Sequence, residues 1–366
     1  MDTSTNLTDI WWAGVHAVQG KSAVKQALLT HNVSKPDLVL AVGKAAASMA
    51  NAAYDAFGAV PMLIVTKYHH IEGAPPHAQV IEAAHPVPDD ASLKAGQALR
   101  EAVSTCASDA HILMLVSGGA SALAEDLIDG MTLTDLADHT QAMLASGADI
   151  HTMNAQRRDL SRIKGGKLLS RFQGHRITTL AISDVQGDSL GVIGSGLGDV
   201  SDAATFDFNP HIIANNHIAR AAAARVSPLP VQTNRETLYD DIAILAPTIA
   251  HELISGAKGI HIQGGEPTVV LPPNPGKGGR NMALALLLSR EIAGRTDLSI
   301  LVAGTDGTDG PTDAAGALID GHTWNASGQA AIDTANAAPW LDARGALFRS
   351  GPTGTNVMDL LIAERR

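Results

Sequence analysis

The sequence predicts an α/β protein of two domains, a larger one built on a parallel sheet and a smaller one on a mixed sheet. Three observations carry that expectation. Short apolar runs alternate with helical stretches and end repeatedly in glycine-rich turns, the pattern of strands joined by helical crossovers. Alanine, valine and leucine dominate a chain that is 45% hydrophobic but only 3% aromatic, with 35 glycines, as in parallel sheets covered on both faces. At 366 residues, the chain is too long for one average core and long enough for two.

Taken in order, residues 8–30 carry Ile10, Trp11, Val15, Val18, Val24 and Leu28 at helical spacing and predict a helical stretch with one buried stripe. Residues 38–42 predict the first strand, which runs into Gly43-Lys44 and an alanine-rich helix. Strands are expected at 62–65, 80–81 and 112–116, the last ending at Ser117-Gly118-Gly119. Residues 133–172 read as helical. A strand at 177–182 ends at Ser183-Asp184. Ligands of such sheets bind where strands end in glycine-rich turns. Ser227-Pro228-Leu229-Pro230 marks the expected boundary, giving domains 1–227 and 228–366. Beyond it we expect a helix at 240–255, strands at 260–262 and 268–270, a helix from Met282 and a strand at 298–302.

A formal net charge of −11 argues against a nucleic-acid or anionic-membrane surface, which would need clustered Lys and Arg. One cysteine, Cys106, excludes an intramolecular disulfide and reads as structural. No basic region followed by an apolar run opens the sequence, and no apolar stretch approaches the ~20 residues of a membrane span. A cytoplasmic protein is expected.

Several clusters could carry chemistry, each beside a plainer reading. Gly43-Lys44, between strand and helix, suits phosphate through helix N–H groups and a mobile charge, or is a surface lysine. Ser117-Gly118-Gly119-Ala120-Ser121 lets a ligand approach the backbone, or is simply a tight turn. Asn154, Arg157, Arg158, Ser161, Lys164 and Lys167 form a basic patch fit for a carboxylate or phosphate, or a solvated face. Asp184 and Asp188 follow a strand and could hold Mg²⁺ or cap a turn. Gly278-Gly279-Arg280 precedes a helix, where the guanidinium could neutralise a moving phosphoryl group, or is a flexible loop. The run Gly304-Thr305-Asp306-Gly307-Thr308-Asp309-Gly310-Pro311-Thr312-Asp313 has more hydroxyl and glycine positions than a solvated loop needs. Fifteen histidines are scattered without metal-ligand spacing. No Walker A motif and no strand–G-x-G-x-x-G–helix is present.

These runs, together with His85-Pro86-Val87-Pro88-Asp89, Ile163-Lys164-Gly165-Gly166, Gly264-Gly265-Glu266 and Thr353-Gly354-Thr355-Asn356-Val357, resemble the glycerate 2-kinases of the MOFRL type over nearly the whole chain and in the family's order. The resemblance implies a Rossmann-like larger domain, a smaller mixed α/β domain and an active site in the cleft. It implies ATP with Mg²⁺, a short hydroxy acid as acceptor, and Lys44 and Arg280 in catalysis. Asp184 is the expected catalytic carboxylate. Ser117, Gly118, Gly119, Ser121, Asn154 and Arg157 are expected at the acceptor. Gly43, Lys164, Gly265, Glu266, Gly278, Gly279, Thr305, Thr353 and Asn356 are expected at ATP, and Asp188, Asp306, Asp309 and Asp313 at the metal. The expected partners are these small molecules, neither nucleic acid nor membrane, with a homodimer left open. A nicotinamide-dependent hydroxypyruvate reductase and a non-catalytic metabolite-binding protein are the rival readings.

Overall fold

The computed structural model describes residues 3–145, 158–201 and 204–366. The predicted N-terminal helical stretch is two helices, α1 (Thr3–Ala17) and α2 (Gly20–Thr30), with the break at Val18-Gln19. The halves serve different compact units: Gln19–Asn215 forms one, and Met1–Val18 with Asn216–Arg366 forms the other. Hydrophobic spacing could not show this, because both halves bury an apolar stripe and only the partner differs.

The first unit carries β1 (Leu38–Val42), α3 (Ala46–Phe57), β2 (Met62–Lys67), β3 (Gln79–Ala83), α4 (Asp90–Ser104), β4 (His111–Val116), α5 (Ala120–Leu123), α6 (Leu133–Ala145), β5 (Arg176–Ile182) and β6 (Asp207–Ala214). All six strands are parallel, in the order β3-β2-β1-β4-β5-β6. Every residue of β4 is buried, which is why the central strands read as unbroken apolar runs. The edge strand β6 escaped the sequence reading because it is polar and contains Pro210, whose missing N–H an edge tolerates. Asp89 and Ser92 cap α4 reciprocally. From Leu160 to Leu168 the chain runs in turns and bends, with Gly165 and Gly166 at positive φ, so the expected helical stretch is not continuous through 172.

The second unit adds to α1 the elements α7 (Asn216–Val226), β7 (Val231–Leu238), α8 (Ile242–Ser255), β8 (Gly259–Gly265), α9 (Arg280–Glu291), β9 (Leu298–Gly304), β10 (Gly316–Asp320), α10 (Gly328–Asp333), α11 (Ala337–Asp342), β11 (Leu347–Phe348) and β12 (Asp359–Arg365). Its sheet is mixed, ordered β11-β10-β9-β12-β8-β7, with β7 parallel to β8 and the other pairings antiparallel. Helix α1 packs on α7 and β12, with Trp11 edge-on to Phe348 at 5.0 Å. The Ser227–Pro230 segment is the short loop between α7 and β7, and the compact units divide at 215/216. Residues 268–270 form no strand: Thr268 makes one bridge to Asp241, and Val270 is 85% exposed. Among the described residues no helix is long and apolar enough to cross a membrane.

Candidate active site

In the parallel-sheet unit the strand order reverses between β1 and β4, and the crevice outside the carboxyl ends of such strands is where α/β sheets take ligands. The turns leaving those two strands are laced together. Ser117 N–H donates to the Val42 carbonyl and Lys44 N–H to the Gly118 carbonyl, each at 3.0 Å. Ser117 Oγ accepts from Ala45 N–H at 3.1 Å. Gly43 has φ +130°, and a Cβ there would stand 2.2 Å from Ser117 Oγ. The glycine is required by the closeness of the neighbouring turn, and the Ser117 hydroxyl, expected at the acceptor, is engaged in the frame.

Lys44 is half-buried and makes no ion pair or side-chain hydrogen bond with a described residue. Gly118 is buried, and Gly119 caps α5 in the left-handed region, φ +84°. A Cβ on Gly119 would meet His85 Cδ2 at 3.0 Å and Lys44 Cγ at 3.2 Å. Asp184 lies half-buried just past β5, the strand beside β4. Asp188 has φ +53° and accepts from the Asn215 amide. Ser121 lines a cavity of ≈ 250 Å³ with Pro86, Val87, Leu136, Lys164 and Ser195. The Lys164 ammonium is buried against the carboxylate of Glu125, which also accepts from Ser161 Oγ, so this lysine is held as an internal ion pair. Asn154 and Arg157 lie outside the described residues.

In the mixed-sheet unit a cavity of ≈ 480 Å³ is lined by Gly278, Gly279, Arg280, Asp306, Asn356 and Asp359, among others. The start of α9 is not the open donor set that its glycines suggest. Asp309 reaches in from the β9–β10 loop and accepts from Asn281 N–H at 3.1 Å and Met282 N–H at 2.7 Å. Burial pushes the Asp309 carboxyl up to about 7, against the pull of those two N–H groups. Arg280 donates through Nε to Asp359 at 2.6 Å and through Nη1 to Glu266 at 2.7 Å. Burial opposes its charge, yet Asp359 and Glu266 hold the guanidinium above its usual range.

The other expected positions hold the loops. Thr305 Oγ1 donates to the Met358 carbonyl and Thr353 Oγ1 to the Thr305 carbonyl, both at 2.6 Å, stitching the 304–310 loop to the 351–358 loop. Asn356 accepts from Met358 N–H. Gly265, φ +136°, closes β8 against the Leu238 carbonyl. Asp306 closes a turn with Thr308, and Asp313 pairs with Arg349 at 3.1 Å. Among the described residues no three His, Cys, Asp or Glu side chains gather as a ligand set. The four expected metal carboxylates therefore have local duties in this structure.

The sequence reading missed Asp359 as the partner of Arg280 and the place of His85 over Gly119. His85 stands in a run already singled out, two residues past β3. Asp359 was detectable as a lone carboxylate heading the apolar run 360–363.

Family models match residues 6–229, described as a domain of unknown function (DUF4147), and residues 259–359, described as the MOFRL family. D-glycerate 2-kinase of Thermotoga maritima is 34% identical, with 95% of each chain covered. A protein of Agrobacterium vitis provisionally named hydroxypyruvate reductase is also 34% identical, over 88% of this chain and 86% of its own. A crystal structure of glycerate kinase from Thermotoga maritima superposes with a TM-score of 0.90 at 31% identity, covering all of both chains. Matched along its full length and by both domain families in order, the chain belongs to the MOFRL-type glycerate 2-kinase family.

Proposed function

We propose that this chain is an ATP-dependent D-glycerate 2-kinase, moving the γ-phosphoryl of ATP to the 2-hydroxyl of D-glycerate and releasing ADP and 2-phosphoglycerate. The hydroxyl oxygen forms the new bond to phosphorus, the bond to the β–γ bridging oxygen breaks with ADP as the leaving group, and the hydroxyl proton is released to solvent. The observation that carries this reading is similarity to glycerate kinases along the whole chain in both sequence and fold.

The local chemistry supports it. Phosphoryl transfer is catalysed by positioning and by cations set against spreading negative charge. Lys44, at the switch point of the parallel sheet and without an ion-pair partner among the described residues, is such a cation, and Arg280, oriented by two carboxylates, is another. Magnesium enters this reading as the Mg·ATP complex. Mg²⁺ keeps most of its waters and takes one or two protein carboxylates beside the phosphates, so no preformed cage is needed. Asp184, half-buried just past β5 in the parallel-sheet unit, is the carboxylate proposed to face it.

A panel of short hydroxy acids assayed for ADP release tests the reading, with phosphorus NMR of the product placing the phosphate. D-glycerate is expected to turn over fastest and to give the 2-phosphate. Nicotinamide oxidation with hydroxypyruvate and no ADP release would instead establish a reductase. Glycerate binding without either signal would establish a binding protein.

A further inference from the structure

We propose that His85 is an acceptor-binding residue, its imidazole Nε2 holding the reacting hydroxyl of the hydroxy acid beside Lys44 and the Gly118-Gly119 turn. The inference rests on the kinase reading and adds to it a residue with no role so far.

Three structural facts converge on it. The His85 ring lies directly over Gly119: the Cβ position of that residue is 3.2 Å from Nε2 and 3.0 Å from Cδ2, and Lys44 Cγ closes the same space at 3.2 Å. The imidazole and the lysine stem thus flank one backbone turn, at a point where only glycine fits. Next, His85 is half-buried, yet neither ring nitrogen hydrogen-bonds a described residue, whereas His111 and His261, which lie in strands, bond through both nitrogens. A half-buried imidazole with both nitrogens uncommitted is costly unless something else engages them. Third, basic groups bear on the ring, while the nearby Asp89 carboxylate is spent on the Ala84 N–H, Ser92 and Tyr68. Lys44 leaves β1, Lys67 ends β2, and His70 follows in the next turn.

That environment selects what the ring can do. Burial, then Lys44, Lys67 and His70, lower the His85 pKa to about 4, so the ring is neutral at physiological pH. A neutral imidazole offers one N–H and one lone pair, which suits a hydroxyl, while the neighbouring ammonium groups suit the acid's carboxylate. A base of that pKa is poorly matched to taking the proton at neutral pH, so His85 orients the hydroxyl without carrying its proton away.

Steady-state kinetics of His85→Ala and His85→Asn test the assignment, alongside NMR of the imidazole of labelled wild-type protein titrated with D-glycerate alone. The expected result is a KM for D-glycerate raised about tenfold or more in His85→Ala, partly restored in His85→Asn, with the KM for ATP unchanged. The wild-type pH profile should lack an acid limb from this histidine between pH 5 and 7, and its ring resonances should shift with glycerate. An unchanged glycerate KM in a folded variant overturns the assignment, as does a matching rise for ATP or a silent ring titration. A lost acid limb in the variants would make His85 the base instead and overturn the positioning role. Wild-type protein that turns over no glycerate overturns the kinase reading itself, a result the variants cannot mimic.

Discussion

Two cations stand at glycine-rich helix starts in the two units, and their surroundings are opposite. Lys44 projects from the β1–α3 turn with no ion-pair partner among the described residues, and the side chain that shares its space over Gly119 is the imidazole of His85. Arg280, at the head of α9, is clasped by Glu266 and by Asp359, which is 1% exposed. The frame around Lys44 is made of backbone hydrogen bonds and would persist without the side chain. The frame around Arg280 is made of charge, and Asp359 depends on the guanidinium for its burial. An ammonium can serve as a mobile point charge, whereas a guanidinium gains precision from a carboxylate that matches its fork. A charge can therefore be prepared for phosphate by leaving it unpaired or by orienting it with partners, and only the second couples function to stability.

The largest expected effect is on rate. Lys44→Ala should lower kcat by about 10²–10³-fold, the usual loss for one charge-stabilising donor, with the melting temperature unchanged. Steady-state kinetics with thermal unfolding checks both halves, and a marked loss of stability would break the contrast. Arg280→Ala should lower kcat as well, but it also strands the Asp359 carboxylate. Removing one partner of a buried pair costs 3–5 kcal/mol, and partial exposure of Arg280 brings the expectation down to about 2–3 kcal/mol. That is a fall of roughly 5–10 °C in a unit of this size. A double variant, Arg280→Ala with Asp359→Asn, should recover part of the stability and none of the rate.

A third variant probes the backbone frame. Gly43→Ala would place a methyl 2.2 Å from Ser117 Oγ in a positive-φ position. Overpacking and strain predict a loss of about 1–3 kcal/mol. Lys44 would move with the turn, so activity should fall along with the melting temperature.

The smallest effects concern pH, and the two units should oppose each other. Asp309 has a folded pKa of about 7 against 3.8 unfolded, so the folded state holds its proton more tightly. Its contribution to stability is present below pH 3.8 and is lost as pH rises toward 7. His85 has a folded pKa of about 4 against 6.5 unfolded, so its contribution is present above pH 6.5 and lost as pH falls toward 4. Chemical denaturation from pH 4 to 7 should show Asp309→Asn gaining on the wild type as pH rises and His85→Asn gaining as pH falls. Slopes of the same sign would refute one of the two environments.

Much of this was legible in the chain. Residues 38–42 and 112–116 announce buried parallel strands because side chains covered on both faces must all be apolar. Gly43, Lys44, Ser117 and Gly119 announce their turns because few residues tolerate left-handed or crowded backbone. The helix at 242–255 declares itself by apolar spacing and an Asp241 cap. Polar edge strands such as β6 and β7 stayed hidden, since a strand with one solvated edge needs little apolar sequence.

What the sequence determined by itself was the fold class, the family resemblance and the glycine-rich turns, all of them encoded in short contiguous runs. Only the tertiary structure decided which groups remain available. It gave the Asp309 carboxylate to the start of α9, the Lys164 ammonium to Glu125 and the Thr305 hydroxyl to the Met358 carbonyl. It left His85 over Gly119 without a hydrogen bond to any described residue, and it sent α1 to the unit that begins again at Asn216. The physical reason is that a side chain's partner is set by residues tens to hundreds of positions away. A local run fixes which donors and acceptors exist, and folding alone fixes which of them are already satisfied.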